Sequence, residues 1–184
     1  MSNNTSHNDP VLTSFLKHQL TEGLALAESS ERLALLPING QPPNRYVARF
    51  DVRGRVLTPQ NEVVEHHSFV VGIQFPPDYL RRFVPWEVLY LIGPRRTWHP
   101  NISFGAPMIC PGRAAPGTSL VELLYQVWEI LTYRKVNMLE HNALNQAACR
   151  WARANQLSFP TDTRPLKHVT TRAPKVELLK ESQR

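Results

Sequence analysis

Cysteine is nearly absent: Cys110 and Cys149 are the two thiols of a 184-residue chain. So few cannot build the disulfide framework on which small secreted domains rely, and both read as reduced thiols of a cytosolic protein. Long apolar runs are missing too. None approaches the roughly 20 residues that a membrane span needs, so no membrane partner is expected. Met1 to Asp9 carries neither a charged n-region nor an apolar h-region, so no signal peptide is expected there. The eight glycines form no phosphate-cradling loop and no Gly-x-Ser-x-Gly elbow. Close ligand pairs of the kind that hold zinc are absent. His66-His67 places its two rings on opposite faces of a strand, and the reading is no metal and no cofactor.

What is present is ordinary in bulk. With 42% apolar and 20% charged residues, the chain reads as one globular domain with flexible ends. The expected division is a flexible N-terminus over 1–9, a domain over 10–155, and a basic, partly disordered tail over 156–184. Half of the net charge of +6 lies in that tail, where six basic residues face three acidic ones. Such a tail can steer an acidic partner, or touch nucleic acid weakly. It lacks the interleaved aromatics of a base-stacking platform, which argues against nucleic acid as a partner.

Asp9-Pro10 has the form of a helix start, with an N-cap followed by proline at the first helical position. Leu12, Phe15, Leu16, Gln19 and Leu20 follow helical spacing. The pattern blurs towards Ala34, and Gly23 leaves one helix or two open. Pro37, Gly40, Pro42 and Pro43 read as turn chemistry. Strands are expected from alternation at Tyr46–Arg53, Phe69–Phe75 and Trp86–Ile92, with a turn at Thr58–Asn61. Short connections favour an antiparallel meander. From Arg95 to Thr118 no period is visible, yet Trp98, Ile102, Met108 and Ile109 make the stretch too apolar for disorder, so it reads as a packed functional loop. Ser119-x-x-Glu122 is a capping-box pattern opening a helix whose face is Leu120, Leu123, Leu124, Val127 and Leu131. A last helix is expected over about Asn142–Asn155, with Leu144, Ala147, Ala148 and Trp151 on one side. The order describes an α+β fold: an N-terminal helix, an antiparallel meander sheet of about four strands, a long loop and two C-terminal helices.

Inside that loop His99-Pro100-Asn101-Ile102 lies just upstream of Gly105-x-x-Met108-Ile109-Cys110. This stretch resembles the active-site segment of ubiquitin-conjugating enzymes, whose pattern is His-Pro-Asn, a short glycine-containing loop, an apolar residue and the catalytic cysteine. Phe75-Pro76-Pro77-Asp78-Tyr79, Val84-Pro85-x-x-Val88 and the stretch His141 to Trp151 are similar to further family patterns in the same order. The resemblance covers roughly residues 10–155. There are three departures: Cys110 follows His99 by one residue more than is usual, Leu80 replaces a proline, and Pro111 follows the cysteine. They mark a divergent member, resembling bacterial ubiquitin-like conjugation systems and, by analogy, antiviral defence.

The resemblance implies a ubiquitin-conjugating fold and a transferase. Cys110 would receive a ubiquitin-like protein from an activating enzyme as a thioester and pass it to an amine of a target protein, most simply a lysine. Sulfur suits both halves, being a good nucleophile and a good leaving group. The thiolate is the reactive form, and Arg113, with Arg95 and Arg96, offers positive charge to favour it. Asn101 would stabilise the oxyanion or hold the loop through backbone hydrogen bonds, since an amide donates and accepts at once. His99 reads as structural, with its ring nitrogens satisfied by backbone groups. Pro100, Gly105 and Ile109 complete the loop. His141 or Asn142 occupies the place where the family orients the incoming amine, although Asn142 serves equally as a helix N-cap. Cys149 reads as core. Two other functions stay open: a non-catalytic module that binds ubiquitin-like partners on the same fold, and a basic nucleic-acid adaptor.

Overall fold

The computed structural model describes residues 9–167. The N-terminal segment before Asp9 and the far part of the tail lie outside the described residues. Helix α1 is a single helix, Pro10–Glu28, whose N-cap Asp9 accepts hydrogen bonds from the N–H groups of Val11 and Leu12. Gly23 does not break it. A β-carbon there would sit 2.6 Å from a methyl of Leu120 and 3.0 Å from one of Leu35. The glycine therefore lets α1 lie close on the elements beneath it.

Where turn chemistry was expected around Pro37, the chain forms a strand. The strands are β1 (Leu33–Gly40), β2 (Pro43–Phe50), β3 (Gly54–Leu57), β4 (Val63–His66), β5 (Phe69–Gln74) and β6 (Leu89–Gly93). Four make one antiparallel sheet in the order β1-β2-β5-β6, while β3 and β4 form a separate hairpin. Pro37 is tolerated because β1 is an edge. The N–H of Asp51 donates to the carbonyl of Arg32 at 2.9 Å, which marks that pair as cross-bonded. Alternation along the register, with Pro37 opposite Tyr46, then turns the polar backbone of residue 37 outward, where no ladder bond is lost. The same proline blunts the open edge against pairing with another chain.

Two further expectations shift. Trp86 belongs to a short helical turn, α2 (Pro85–Val88), so the strand starts at Leu89, and Trp86 is exposed. The final helix, α4, is Gln146–Ala154, capped by Asn145 rather than Asn142; the Asn145 side chain accepts from the N–H of Ala148. Its buried side is Ala148, Cys149 and Ala152, while Leu144 and Ala147 are exposed. Helix α3 (Leu120–Leu131) does bury the expected leucine face, and Ser119 caps it by accepting from the N–H of Glu122 at 3.1 Å. That face packs with Tyr46, Phe50, Phe69 and Phe75 of the sheet side in one core.

The chain keeps packing past 155. Leu166 lies in the same core. Thr161 donates its hydroxyl to the carbonyl of Arg53 at 2.7 Å, and buried Asp162 accepts from the N–H of Arg53 at 3.0 Å. Burial alone would raise the Asp162 carboxyl, but hydrogen bonds from the Arg164 guanidinium and from the N–H groups of Arg53 and Arg164 outweigh it and hold the group well below the usual carboxylate range. The first part of the expected tail is thus a strap that closes one end of the sheet. Among the described residues no helix is long and apolar enough to cross a membrane.

Candidate active site

The loop between β6 and α3 is held at both ends and through its middle. At the start, the hydroxyl of buried Tyr133 donates to the carbonyl of Trp98. Near the middle, the N–H of Leu91 donates to the carbonyl of Pro107 at 2.9 Å, and Ile102 bridges buried Ile109. At the far end, Tyr79 of the Phe75–Tyr79 motif donates to the carbonyl of Thr118 at 2.6 Å. Burial pushes the Tyr79 hydroxyl's pKa upward, with the charge of Glu122 adding to it, so the hydroxyl stays a donor. The motif therefore anchors the loop's exit.

Asn101 sits at the centre, 6% exposed. Its amide nitrogen donates to the carbonyl of Cys110 at 3.1 Å, and its amide oxygen accepts from the N–H of Asn137 at 2.9 Å. Its backbone carbonyl accepts from the N–H of Cys110 at 2.8 Å. One side chain thus ties the backbone at Cys110 to the segment following α3. Of the two roles open to this asparagine, these bonds are those of the loop-holding one.

His99 is 1% exposed. Its Nδ1 accepts from the N–H of Asn101 at 3.0 Å, which assigns the ring proton to Nε2. The expectation that backbone groups satisfy both nitrogens is half met, because Nε2 has no hydrogen-bond partner. The ring instead lies edge-on to Tyr133, with centroids 4.4 Å apart. Burial pushes the imidazole down to about 3, so it stays neutral and has no access to solvent for proton exchange. Pro100, also buried, accepts from the N–H of Asn145 at 3.2 Å, tying the loop to the cap of α4.

Cys110 is half-buried and free, in contrast to fully buried Cys149, whose thiol faces the carbonyl of Asn137 at 3.4 Å. The structure brings His99, Pro100, Asn101, Ile109 and Cys110 together. Arg113 and Gly105 are exposed on the same loop. The Arg96 guanidinium lies over the Phe104 ring at 5.5 Å, and Arg95 lines a cleft of about 320 Å³ with Ile92 and Phe104. Both cations therefore lie on the Phe104 side of the loop. His141 and Asn142 lie exposed in a 3-10 turn, Glu140–Asn142. The turn is anchored by Glu140, which pairs with Arg150 and, at 3.5 Å, with Arg153.

Three residues at this site escaped the sequence reading. Tyr133, at φ 58°, packs His99 on one side and stacks on Phe159 at 4.4 Å on the other. Asn137 donates its N–H to the Asn101 amide oxygen. Gly112, at φ +82°, turns the chain just after Cys110, and only the Pro111-Gly112 dipeptide hinted at it. Among the described residues no cluster of His, Cys, Asp and Glu is placed to hold a metal ion.

No protein-family model matches the sequence, and no curated protein matches it. Solved structures do. The chain is similar to a ubiquitin-conjugating enzyme E2 domain of Toxoplasma gondii, with 18% identity over 80% of this chain and 90% of that one, and a TM-score of 0.50. The N-terminal helix, four-stranded antiparallel sheet, long loop and C-terminal helices are thus the ubiquitin-conjugating fold.

Proposed function

We propose that this chain is a ubiquitin-conjugating-type carrier. Cys110 attacks the thioester of a charged activating enzyme, takes over the C-terminal acyl group of a ubiquitin-like protein, and surrenders it to an amine on a target. In each transfer one C–S bond breaks as a new bond to the same carbonyl carbon forms, and the departing sulfur leaves as thiolate. The observation that carries the proposal is the Asn101 bridge, which fixes the backbone of a half-exposed thiol while leaving its sulfur free. Catalysis on such a site is chiefly positioning. His141, exposed near the start of α4, would meet the incoming amine, and α1 would dock the activating enzyme. On the same resemblance it would act in the cytoplasm, within a bacterial antiviral conjugation system.

A charging assay tests this. The protein is incubated with the cognate activating enzyme, ATP and tagged ubiquitin-like protein, then run on non-reducing gels beside Cys110→Ala. A reductant-sensitive adduct lost in the variant supports the carrier role. A visibly charged activating enzyme with no adduct on the wild-type chain assigns it to the non-catalytic binding modules.

A further inference from the structure

Lysine is sparse in the folded part of this chain. Residues 9–167 contain three lysines, Lys17, Lys135 and Lys167, and one of them stands against the Cys110 loop. A β-carbon placed on Gly112 would lie 3.2 Å from Cε and 3.5 Å from Nζ of Lys135. Gly112 is two residues from Cys110, so their Cα atoms are at most about 7.6 Å apart. A second path reaches the same place. Lys135 is two residues before Asn137, whose N–H donates to Asn101, and Asn101 in turn donates to the carbonyl of Cys110.

The stem of Lys135 is set from below. Its N–H and that of Arg134 both donate to the carbonyl of Glu129, at 3.1 and 2.8 Å, closing the end of α3. Its Nζ donates to the amide oxygen of Gln126 at 3.4 Å, and the Gln126 amide nitrogen donates to Glu122 at 3.4 Å. Glu122 thus turns the Gln126 oxygen towards the lysine. The four-carbon stem remains free to swing beyond that single long bond. Glycine at 112 matters twice. It adopts a backbone conformation that other residues rarely reach, and a β-carbon there would crowd the Lys135 stem at Cε.

We infer that Lys135 is an acceptor for the acyl group carried on Cys110, so that the protein modifies itself at this lysine when no target is engaged. The inference rests on the thioester reading above. In the step, neutral Nζ attacks the thioester carbonyl carbon. The C–N bond forms as the C–S bond breaks, sulfur leaves as the Cys110 thiolate, and the amine proton passes to water. The product is an amide that thiols do not reverse. An acyl group so fixed would cover the Gly112 side of the thiol and retire the carrier.

The test needs no activating enzyme. The full chain is incubated with the 2-mercaptoethanesulfonate thioester of acetyl-Gly-Gly, which passes its acyl group to a reactive thiol by exchange. Intact mass is followed before and after reductant, with peptide mapping of the modified residue. The wild type should first carry a reductant-sensitive acyl group on Cys110. A reductant-resistant one should then appear on Lys135, about tenfold or more faster than on Lys17 or Lys167, as expected for an amine held near its electrophile. Lys135→Arg should form the thioester and leave it to hydrolyse, and Cys110→Ala should lose both products. Stable acylation that is unchanged in Lys135→Arg, or that persists in Cys110→Ala, overturns the inference while leaving the carrier reading intact. Failure of Cys110 to form the thioester at all overturns the carrier reading, and the inference with it.

Discussion

The Cys110 loop and the turn that carries His141 are built differently. On the thiol side, Asn101 is committed on both faces of its amide and through its carbonyl, His99 is sealed against Tyr133, and Ile109 is in the core. On the other side His141 and Asn142 stand exposed in one short turn, held at the surface by the ion pairs of Glu140. Exposed ion pairs contribute little to stability. This fold therefore fixes the backbone beside the sulfur through buried bonds and holds the turn of residues 140–142 at the surface. That division suits a carrier, whose donor group is always the same and whose acceptors differ.

The strongest way to break the contrast is Asn101→Ala. It removes two side-chain hydrogen bonds and strands the partly buried Cys110 carbonyl and Asn137 N–H that they served, which should cost about 3 kcal/mol. Denaturant unfolding would measure the loss, and an effect below about 1 kcal/mol would mean that the loop holds itself. Acid sharpens the contrast next. His99 is neutral in the fold down to about pH 3, whereas an unfolded histidine takes up a proton near pH 6.5. Its contribution is therefore complete above about pH 6.5 and falls as pH drops towards 3, by about 1.4 kcal/mol per pH unit. Replacing His99 with Gln should flatten that slope in stability measured from pH 6 to 4.

A smaller effect is expected at the strap. Asp162 is depressed, so its contribution is present above the unfolded carboxylate value of about 3.9 and is lost as pH falls below it. Asp162→Asn, which keeps the size and drops the charge, should cost about 1 kcal/mol at neutral pH, read from the same unfolding curves. The smallest change belongs to the open side. His141→Ala should alter stability by less than about 0.5 kcal/mol and leave charging of Cys110 unaffected, while slowing discharge to free lysine. A loss of charging in that variant would place His141 in the donor machinery and erase the distinction between the two sides.

Much of this arrangement was legible in the sequence, because periodicity reports burial directly. The α3 leucines and the Phe69–Phe75 alternation point to the core they form. The misses share a cause: each depends on a partner distant in sequence. Pro37 reads as a breaker until β2 is laid beside it and the proline is seen to face outward. Asn142 and Asn145 are equally good caps on paper, and the Pro100 carbonyl, far upstream, accompanies the choice of Asn145. Trp86 looked like a strand residue from its alternation with Val88 and Tyr90, but Pro85 begins a helical turn. The meeting of Lys135 with Gly112, and the Tyr133 packing that seals His99, join residues whose separation no local pattern records. The motif itself, His-Pro-Asn followed by a cysteine, is visible through resemblance, and the bonds of Asn101 join its two ends.

The most direct measurement of the central claim replaces the sulfur by oxygen. Cys110→Ser is charged with the activating enzyme and tagged ubiquitin-like protein, and the products are treated separately with thiol reductant and with hydroxylamine. A carrier whose acyl group sits on residue 110 should yield an oxyester that survives the reductant and is cleaved by hydroxylamine. An adduct in this variant that remains reductant-sensitive would place the thioester on Cys149 and contradict the account.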